Sequence, residues 1–178
     1  MAVVEDGSPL VAGEVPAWVT LGRAGATRRA LLMRFDVPAD AVVETAYLLV
    51  DRVAERASNG AGVFLHAERI VGPWGATATW LRGPPLGDAS PSLELDPGAR
   101  DPIRIDVTSF YRAGSIRASA RGDRDEGLAL LADRSTARGV AIAVAARAVA
   151  PGEASAFAGD RPDRGASARA PRLELYVR

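Results

Sequence analysis

Short runs of alternating apolar and polar residues recur along almost the whole chain. In residues 30–37, Leu31, Met33 and Phe35 would lie on one face of an extended strand, with Arg34 on the other. Runs with the same period occupy residues 18–21, 45–53, 62–70, 103–107, 127–132, 139–145 and 172–177. This alternation is typical of half-buried strands, so the sequence predicts about eight of them.

These runs also predict the residues of the core. The apolar side chains predicted to share the inner faces of the strands are Leu31, Met33, Phe35, Val37, Ala46, Leu48, Val50, Val63, Leu65, Ala67, Ile103, Ile105, Val107, Leu128, Leu130, Val140, Ile142, Val144, Leu173, Leu175 and Val177. Side chains between them in each run are predicted to point the other way.

The segments between these runs are rich in turn residues and contain no long helical pattern. The 178-residue chain has 18 glycines and 12 prolines, scattered throughout. Short strands joined by such turns favour an all-β fold, an antiparallel jelly-roll-like β-sandwich, over a parallel α/β sheet. The length fits a single domain, residues 1–178, with residues 1–17 as an N-terminal extension. Residues 81–102 and 151–171 are predicted to form long loops.

One short helix is predicted in the segment "DVTSFYRAGS". Either Asp106 or Thr108 can cap its first turn, and Gly114 can end it. Phe110 and Tyr111 are then placed to fill one edge of the sandwich.

The balance of charges and the composition exclude several functions. Basic and acidic residues number 22 each, so no net field attracts the chain to nucleic acid. No apolar run is long enough to span a bilayer, and the N-terminal residues lack the pattern of an export signal. The absence of cysteine excludes disulfides, thiolate metal sites and a thiol nucleophile.

Five segments, taken in order, resemble one known family. They are "RRALLMRFDVPADAVVETAYLLV", "VFLHAERIVGPWGATATW", "IRIDVTSFYRA", "EGLALLAD" and "APRLELYV". As an ordered set they are similar to the DNRLRE domain family, the carbohydrate-binding module 96 group of disaggregatase-related β-sandwich domains. The resemblance covers residues 18–177. It implies an antiparallel jelly-roll sandwich of secreted or cell-surface bacterial and archaeal proteins, with a role in binding or scaffolding and not in catalysis.

Aromatic and arginine side chains are the candidates for contact with a glycan. Aromatic rings stack on the apolar faces of sugar rings. Trp74 lies in a predicted turn, and the sequence favours neither a buried nor an exposed position for its side chain. Trp80 is predicted to lie in the core. The predicted ligand contacts are Trp74, Tyr47 and Arg82, the arginine donating to sugar hydroxyls or to uronate carboxylates.

The sequence predicts no catalytic residue. The only histidine, His66, has no partner for base catalysis and no set of metal ligands at a suitable spacing in the sequence. It is therefore predicted to be a structural or exposed side chain. No nucleophile elbow, phosphate-binding loop or dinucleotide fingerprint occurs. Carboxylates in the predicted loops could bind a structural calcium ion, although their spacing matches no calcium-binding loop. These carboxylates are Asp88, Asp96, Asp101, Asp160 and Asp163.

Two functional hypotheses follow. The first is a non-catalytic carbohydrate-binding or cell-surface adhesion module, whose partner is a polysaccharide and whose extracellular or cell-surface location is implied by the resemblance. The second is a structural subunit of a self-assembling filament, shell or secreted particle, whose partners are other copies of the chain. A binding module keeps an exposed aromatic face, whereas a subunit buries that face against its neighbours.

Overall fold

The computed structural model describes residues 2–5, 18–22, 29–38, 40–52, 63–75, 83–96, 102–112, 126–133, 140–144 and 169–178. The predicted positions of Trp80, Arg82 and Gly114 lie outside the described residues, as does most of the loop predicted for residues 151–171. The described strands are β1 (Ala2–Glu5), β2 (Trp18–Leu21), β3 (Arg29–Met33), β4 (Val43–Val50), β5 (Val63–Ile70), β6 (Leu86–Ala89), β7 (Leu93–Leu95), β8 (Ile103–Asp106), β9 (Leu128–Ala132), β10 (Val140–Ala143) and β11 (Arg172–Val177). One helical turn, α1, covers residues 108–112.

The strands form three antiparallel sheets. The largest has six strands, in the order β1-β3-β9-β5-β6, and β7 also pairs with β5. The second has the order β11-β4-β8, and the third consists of β10 and β2. All the strand pairs of the described residues are antiparallel. The predicted all-β class, with antiparallel sheets and one short helix, is therefore confirmed.

The three sheets share one hydrophobic core. Its buried side chains come from β2, β3, β4, β5, β7, β8, β9 and β10, together with Phe110 and Tyr111 of α1. Almost all the side chains predicted to face inward lie in this cluster or pack against it. Val177 was predicted wrongly, since it is 54% exposed. The register of β11 against β4 shifts between Tyr176 and Val177, which interrupts the alternation at that point.

Three strands lie in stretches that were predicted to be an extension or a loop. β1 lies in the predicted N-terminal extension and pairs with β3, while β6 and β7 lie in the predicted loop of residues 81–102 and pair with β5. All four residues of β6 are exposed, so the segment carries no alternation that could have predicted a strand. Its extended form is supported by pairing with β5 and not by its own side chains.

Ser90 joins β6 to β7 along the edge of the large sheet. It is a polar residue but is buried, with 6% exposure. Its N–H donates to the carbonyl of Ala67, and the N–H of Ala67 donates back to the Ser90 hydroxyl oxygen at 3.0 Å. The hydroxyl donates in turn to the carbonyl of Pro91. A side chain therefore supplies a backbone-like bond where the edge strand is interrupted.

The turn into α1 is held by Asp106 and Thr108, which were predicted as alternative caps. The carboxylate of Asp106 accepts the N–H of Thr108 at 2.9 Å. The Thr108 hydroxyl accepts the N–H of Ala46 in β4 at 3.0 Å and lies 3.3 Å from the Ala46 carbonyl, to which it donates. The helix is thus capped at its start and attached to the central strand of the β11-β4-β8 sheet.

Asp106→Ala is expected to destabilise the protein in a manner that depends on pH. The Thr108 hydroxyl, the Thr108 N–H and the charge of Arg112 lower the pKa of Asp106 from its ordinary value of 3.8. A lowered pKa stabilises the fold above the ordinary value, and this contribution is lost as the pH falls through the folded-state pKa. We expect a loss of about 1 kcal/mol at neutral pH, measured by urea unfolding, that shrinks below pH 3.8. Asp88→Ala on exposed β6 is the matched control, and an equal pH response of both variants would contradict the cap.

Candidate functional site

The face of the β11-β4-β8 sheet that turns away from the core carries a cluster of aromatic and charged side chains. In β4, Ala46, Leu48 and Val50 are buried in the core, so Tyr47 and Leu49 point to the opposite face. The same alternation in the neighbouring strands brings in three further residues. We call this cluster, formed by Tyr47, Leu49, Arg104, Glu174 and Tyr176, the tyrosine face.

Strand register sets the neighbours of Tyr47. It lies directly opposite Glu174 of β11 on one side and Asp106 of β8 on the other. Leu49, two residues further on, lies between Arg172 and Arg104 in the same way. Residues opposite one another in an antiparallel sheet share a face and lie within contact distance, so the charged groups surround the aromatic ring.

The side chains of the tyrosine face contact one another in a defined geometry. The rings of Tyr47 and Tyr176 meet edge to face, with centroids 6.3 Å apart and planes at 86°. The guanidinium carbon of Arg104 lies 3.7 Å from the centroid of the Tyr47 ring. An Arg104 nitrogen is 3.4 Å from a carboxylate oxygen of Glu174. These contacts hold the arginine plane against the ring while leaving about half of its side chain exposed.

The tyrosine face can bind a ligand that has both flat apolar surfaces and polar groups. Tyr176 is 48% exposed and offers part of its ring and its hydroxyl to solvent. Arg104 has donors beyond its single contact with Glu174, and the Glu174 carboxylate is an acceptor. Arg172 and Asp51 form a further pair at 3.3 Å beside this cluster. Positive and negative groups alternate across the face, so it has no strong field of either sign.

Trp74, a predicted ligand contact, lies elsewhere in the fold. It is half-buried against a second hydrophobic cluster on the side of the large sheet that turns away from the core, which includes Leu32 and Ile70. Its indole N–H donates to the carbonyl of Glu126. The guanidinium of Arg34 lies over the ring, 5.0 Å from its centroid, and forms a 2.7 Å ion pair with the carboxylate of Glu126. Trp74 therefore links the ends of β3 and β5 to the start of β9.

Two of the predicted ligand contacts, Tyr47 and Trp74, lie on different sheets. Tyr47 belongs to the β11-β4-β8 sheet and Trp74 packs on the large sheet, each on the face opposite to the shared core. Arg82, the third predicted contact, lies outside the described residues. Sequence reasoning missed Arg104, Glu174 and Tyr176. The alternation of β8 and β11 places all three away from the core, but nothing local shows that these strands flank Tyr47.

His66 has two acidic neighbours, Glu68 on the same face of its own strand and Asp133, which sequence reasoning missed. Its Nε2 lies 3.0 Å from a carboxylate oxygen of Glu68 in the same strand. Its Nδ1 lies 2.5 Å from a carboxylate oxygen of Asp133, which follows β9, but the angle between the two groups does not fit a hydrogen bond. The Ser92 hydroxyl donates to the other oxygen of Asp133 at 2.8 Å. The two carboxylates lie at opposite nitrogens of the ring, so they do not converge on a common point.

Other structural observations bear on metals and membranes. Among the described residues, no group of three or more histidine, aspartate or glutamate side chains is arranged to hold a metal ion. Asp88 and Asp96 are both described and exposed, whereas Asp101, Asp160 and Asp163 lie outside the described residues. No helix in the described part of the chain has the length and apolar character to cross a membrane.

The chain was also compared with known proteins. No family model matches it, and neither the curated proteins nor the solved structures contain a match.

Proposed function

We propose that this chain is a non-catalytic carbohydrate-binding or cell-surface adhesion module, and that the tyrosine face is its glycan contact. The observation that carries the proposal is the arrangement of Tyr47, Arg104 and Tyr176 on one exposed sheet face. Rings and a guanidinium plane offer flat surfaces to sugar rings, and the Arg104 and Glu174 groups offer donors and acceptors to hydroxyls. The resemblance to the DNRLRE group supports the same class of ligand.

The proposal includes the finer architecture and location that the resemblance implies. A single-domain jelly-roll sandwich is supported by the antiparallel sheets whose inner faces contribute to one core. In such a sandwich the β11-β4-β8 sheet presents its outer face to a polysaccharide. Location outside the cell or at its surface follows from the ligand class. Arg82 and a structural calcium ion remain proposals of the same kind.

Glycan binding is expected to depend on the tyrosine face and not on Trp74. After an array of neutral and acidic glycans identifies a ligand, Tyr176→Ala is expected to weaken its affinity roughly tenfold, because the exposed ring is lost. Tyr176→Phe keeps the ring and is expected to retain most of the affinity. Isothermal titration calorimetry measures the change in each variant.

Trp74→Phe is the matched control for that experiment. It substitutes an aromatic residue on the other sheet, where the ring packs against Leu32 and Ile70. Unchanged affinity in Trp74→Phe with a loss in Tyr176→Ala supports the tyrosine face. The reverse pattern would move the glycan site to the large sheet, and an array without any ligand would remove the proposed function.

A second candidate function is the structural subunit of a filament, shell or secreted particle. The observation that favours it is the group of exposed apolar side chains at the end of β11 and beside it: Val42 at 48%, Tyr176 at 48% and Val177 at 54%. Apolar side chains grouped in this way are common where copies of a protein meet. Particles of defined size in electron micrographs of the purified protein, together with an empty glycan array, would favour this candidate over the first.

A further inference from the structure

The outer edge of β11 is the surface that supports an inference beyond glycan binding. Among the described residues, β11 pairs with β4 on one side and has no strand on its other side. An unpaired strand edge presents a row of free N–H and C=O groups, which another chain can use for pairing. β11 has six residues and no register shift from Arg172 to Tyr176, so this stretch is straight enough to pair.

Hydrogen bonds around Ala46 show which groups of β11 point outward. The carbonyl of Ala46 accepts the N–H of Val107, and its N–H donates to Thr108, so both Ala46 groups point toward β8. Backbone groups of successive residues point to opposite sides in an antiparallel ladder. Those of Tyr47 and of Leu49, two residues further on, therefore point toward β11. The backbone groups of their partners, Glu174 and Arg172, therefore point back toward β4.

The backbone groups of Leu173 and Leu175 consequently point away from β4, toward the free edge. Both side chains pack against the core but are only half-buried, so part of each stays accessible at this edge. The edge thus offers one donor and one acceptor from each of Leu173 and Leu175.

The charges on β11 select the register in which a second copy would pair. In a two-fold antiparallel pairing centred on Leu173, Arg172 lies opposite Glu174 of the second copy, and Glu174 lies opposite its Arg172. A pairing centred on Glu174 would instead place the two Glu174 carboxylates opposite each other, and one centred on Leu175 would place Arg172 near Arg178 of the second copy. Opposite charges directly across two strands stabilise the pair, and like charges destabilise it.

We propose that two copies of this chain associate edge to edge through β11, in an antiparallel register centred on Leu173. The N–H of Leu173 in each copy donates to the Leu173 carbonyl of the other. Arg172 and Glu174 form reciprocal ion pairs across the two-fold axis. The two β11-β4-β8 sheets then join into one continuous sheet that carries both tyrosine faces on the same side.

Charge-reversal variants test this register without depending on any ligand. The wild-type chain is expected to show twice its 18.6 kDa mass at high concentration in sedimentation velocity experiments. Arg172→Glu places like charges at both ion pairs of the two-fold contact. It is expected to raise the dissociation constant of the dimer by roughly tenfold or more. Glu174→Arg is expected to do the same, for the same reason. Glu94→Arg, an exposed charge reversal on β7, is the matched control and is expected to leave the dimer unchanged.

The decisive measurement mixes the two variants. In a dimer of one Arg172→Glu chain with one Glu174→Arg chain, both contacts regain opposite charges, so the equimolar mixture is expected to dimerise although each variant alone is monomeric. A variant that merely failed to fold would not be rescued in this way. A monomeric wild-type chain at every concentration, a dimeric single variant, or a mixture that stays monomeric would each overturn the proposal.

Discussion

Gly127→Ala is expected to destabilise the protein more than any other single methyl addition at the described glycines. Gly127 has a φ of +106°, a conformation that residues with a side chain rarely adopt. A Cβ at this position would lie 2.0 Å from the carbonyl oxygen of Met33 and 3.2 Å from the Cα of Arg34. The neighbouring atoms are backbone, so they cannot move aside as a flexible side chain would.

The surrounding hydrogen bonds prevent a simple adjustment around an alanine at position 127. The carbonyl of Gly127 accepts the N–H of Ile70 at 2.9 Å, and the next residue, Leu128, pairs with Met33 in β3. Relief of the clash would therefore disturb β5 and β3 together. We expect a loss of about 3 kcal/mol or more in the free energy of unfolding. For a domain of ordinary stability, this is a large share of the total.

Urea unfolding followed by circular dichroism measures this effect, and Gly75→Ala provides the control. A Cβ at Gly75 would meet no atom within 4 Å, so that variant is expected to retain the wild-type midpoint. If Gly127→Ala unfolded at the same urea concentration as Gly75→Ala, the close approach of Gly127 to β3 would be wrong.

Leu48→Ala is expected to have the second largest effect. Leu48 is fully buried in the middle of β4, and its side chain packs in the core shared by the three sheets. Removal of a buried leucine side chain leaves a cavity and costs about 2–5 kcal/mol. Leu49→Ala, in the same strand but on the tyrosine face, is expected to cost less than about 1 kcal/mol, because that side chain is only half-buried.

The comparison of Leu48 with Leu49 keeps the substitution and the strand constant and changes only the face. Thermal unfolding of both variants, monitored in parallel, measures the difference. Equal losses would mean that the two faces of β4 are buried to a similar extent, which would remove the basis for an exposed tyrosine face.

The sequence predicts the two faces of single strands well, because a side chain's own polarity largely decides whether it is buried. The alternation in residues 30–37 correctly predicted that Leu31 and Met33 enter the core. The segment "DVTSFYRAGS" correctly predicted one short helix, with Asp106 and Thr108 as alternative caps. Residue chemistry acts locally in both cases, so no knowledge of distant strands was needed.

Strand order and the candidate site could not be predicted in the same way. Tyr47 acquires its neighbours only because β11 and β8 both pair with β4, and that choice depends on the packing of the whole chain. The strand β6 escaped prediction for a related reason, since pairing with β5 supports it and its own residues are all exposed. The strand β7 does alternate, but its three residues are too short a run to predict a strand without its partner β5. The contact of His66 with Asp133 likewise depends on the pairing of β5 with β9.

The single histidine has a practical consequence for following the motions of this protein. His66 contacts Glu68 and, beyond β9, Asp133, which also holds the connection between β6 and β7 through Ser92. With one imidazole in the chain, every imidazole resonance in a nuclear magnetic resonance spectrum comes from this one point. Detachment of the β6–β7 edge from the large sheet would therefore be readable in unlabelled protein, from the line shape of one ring.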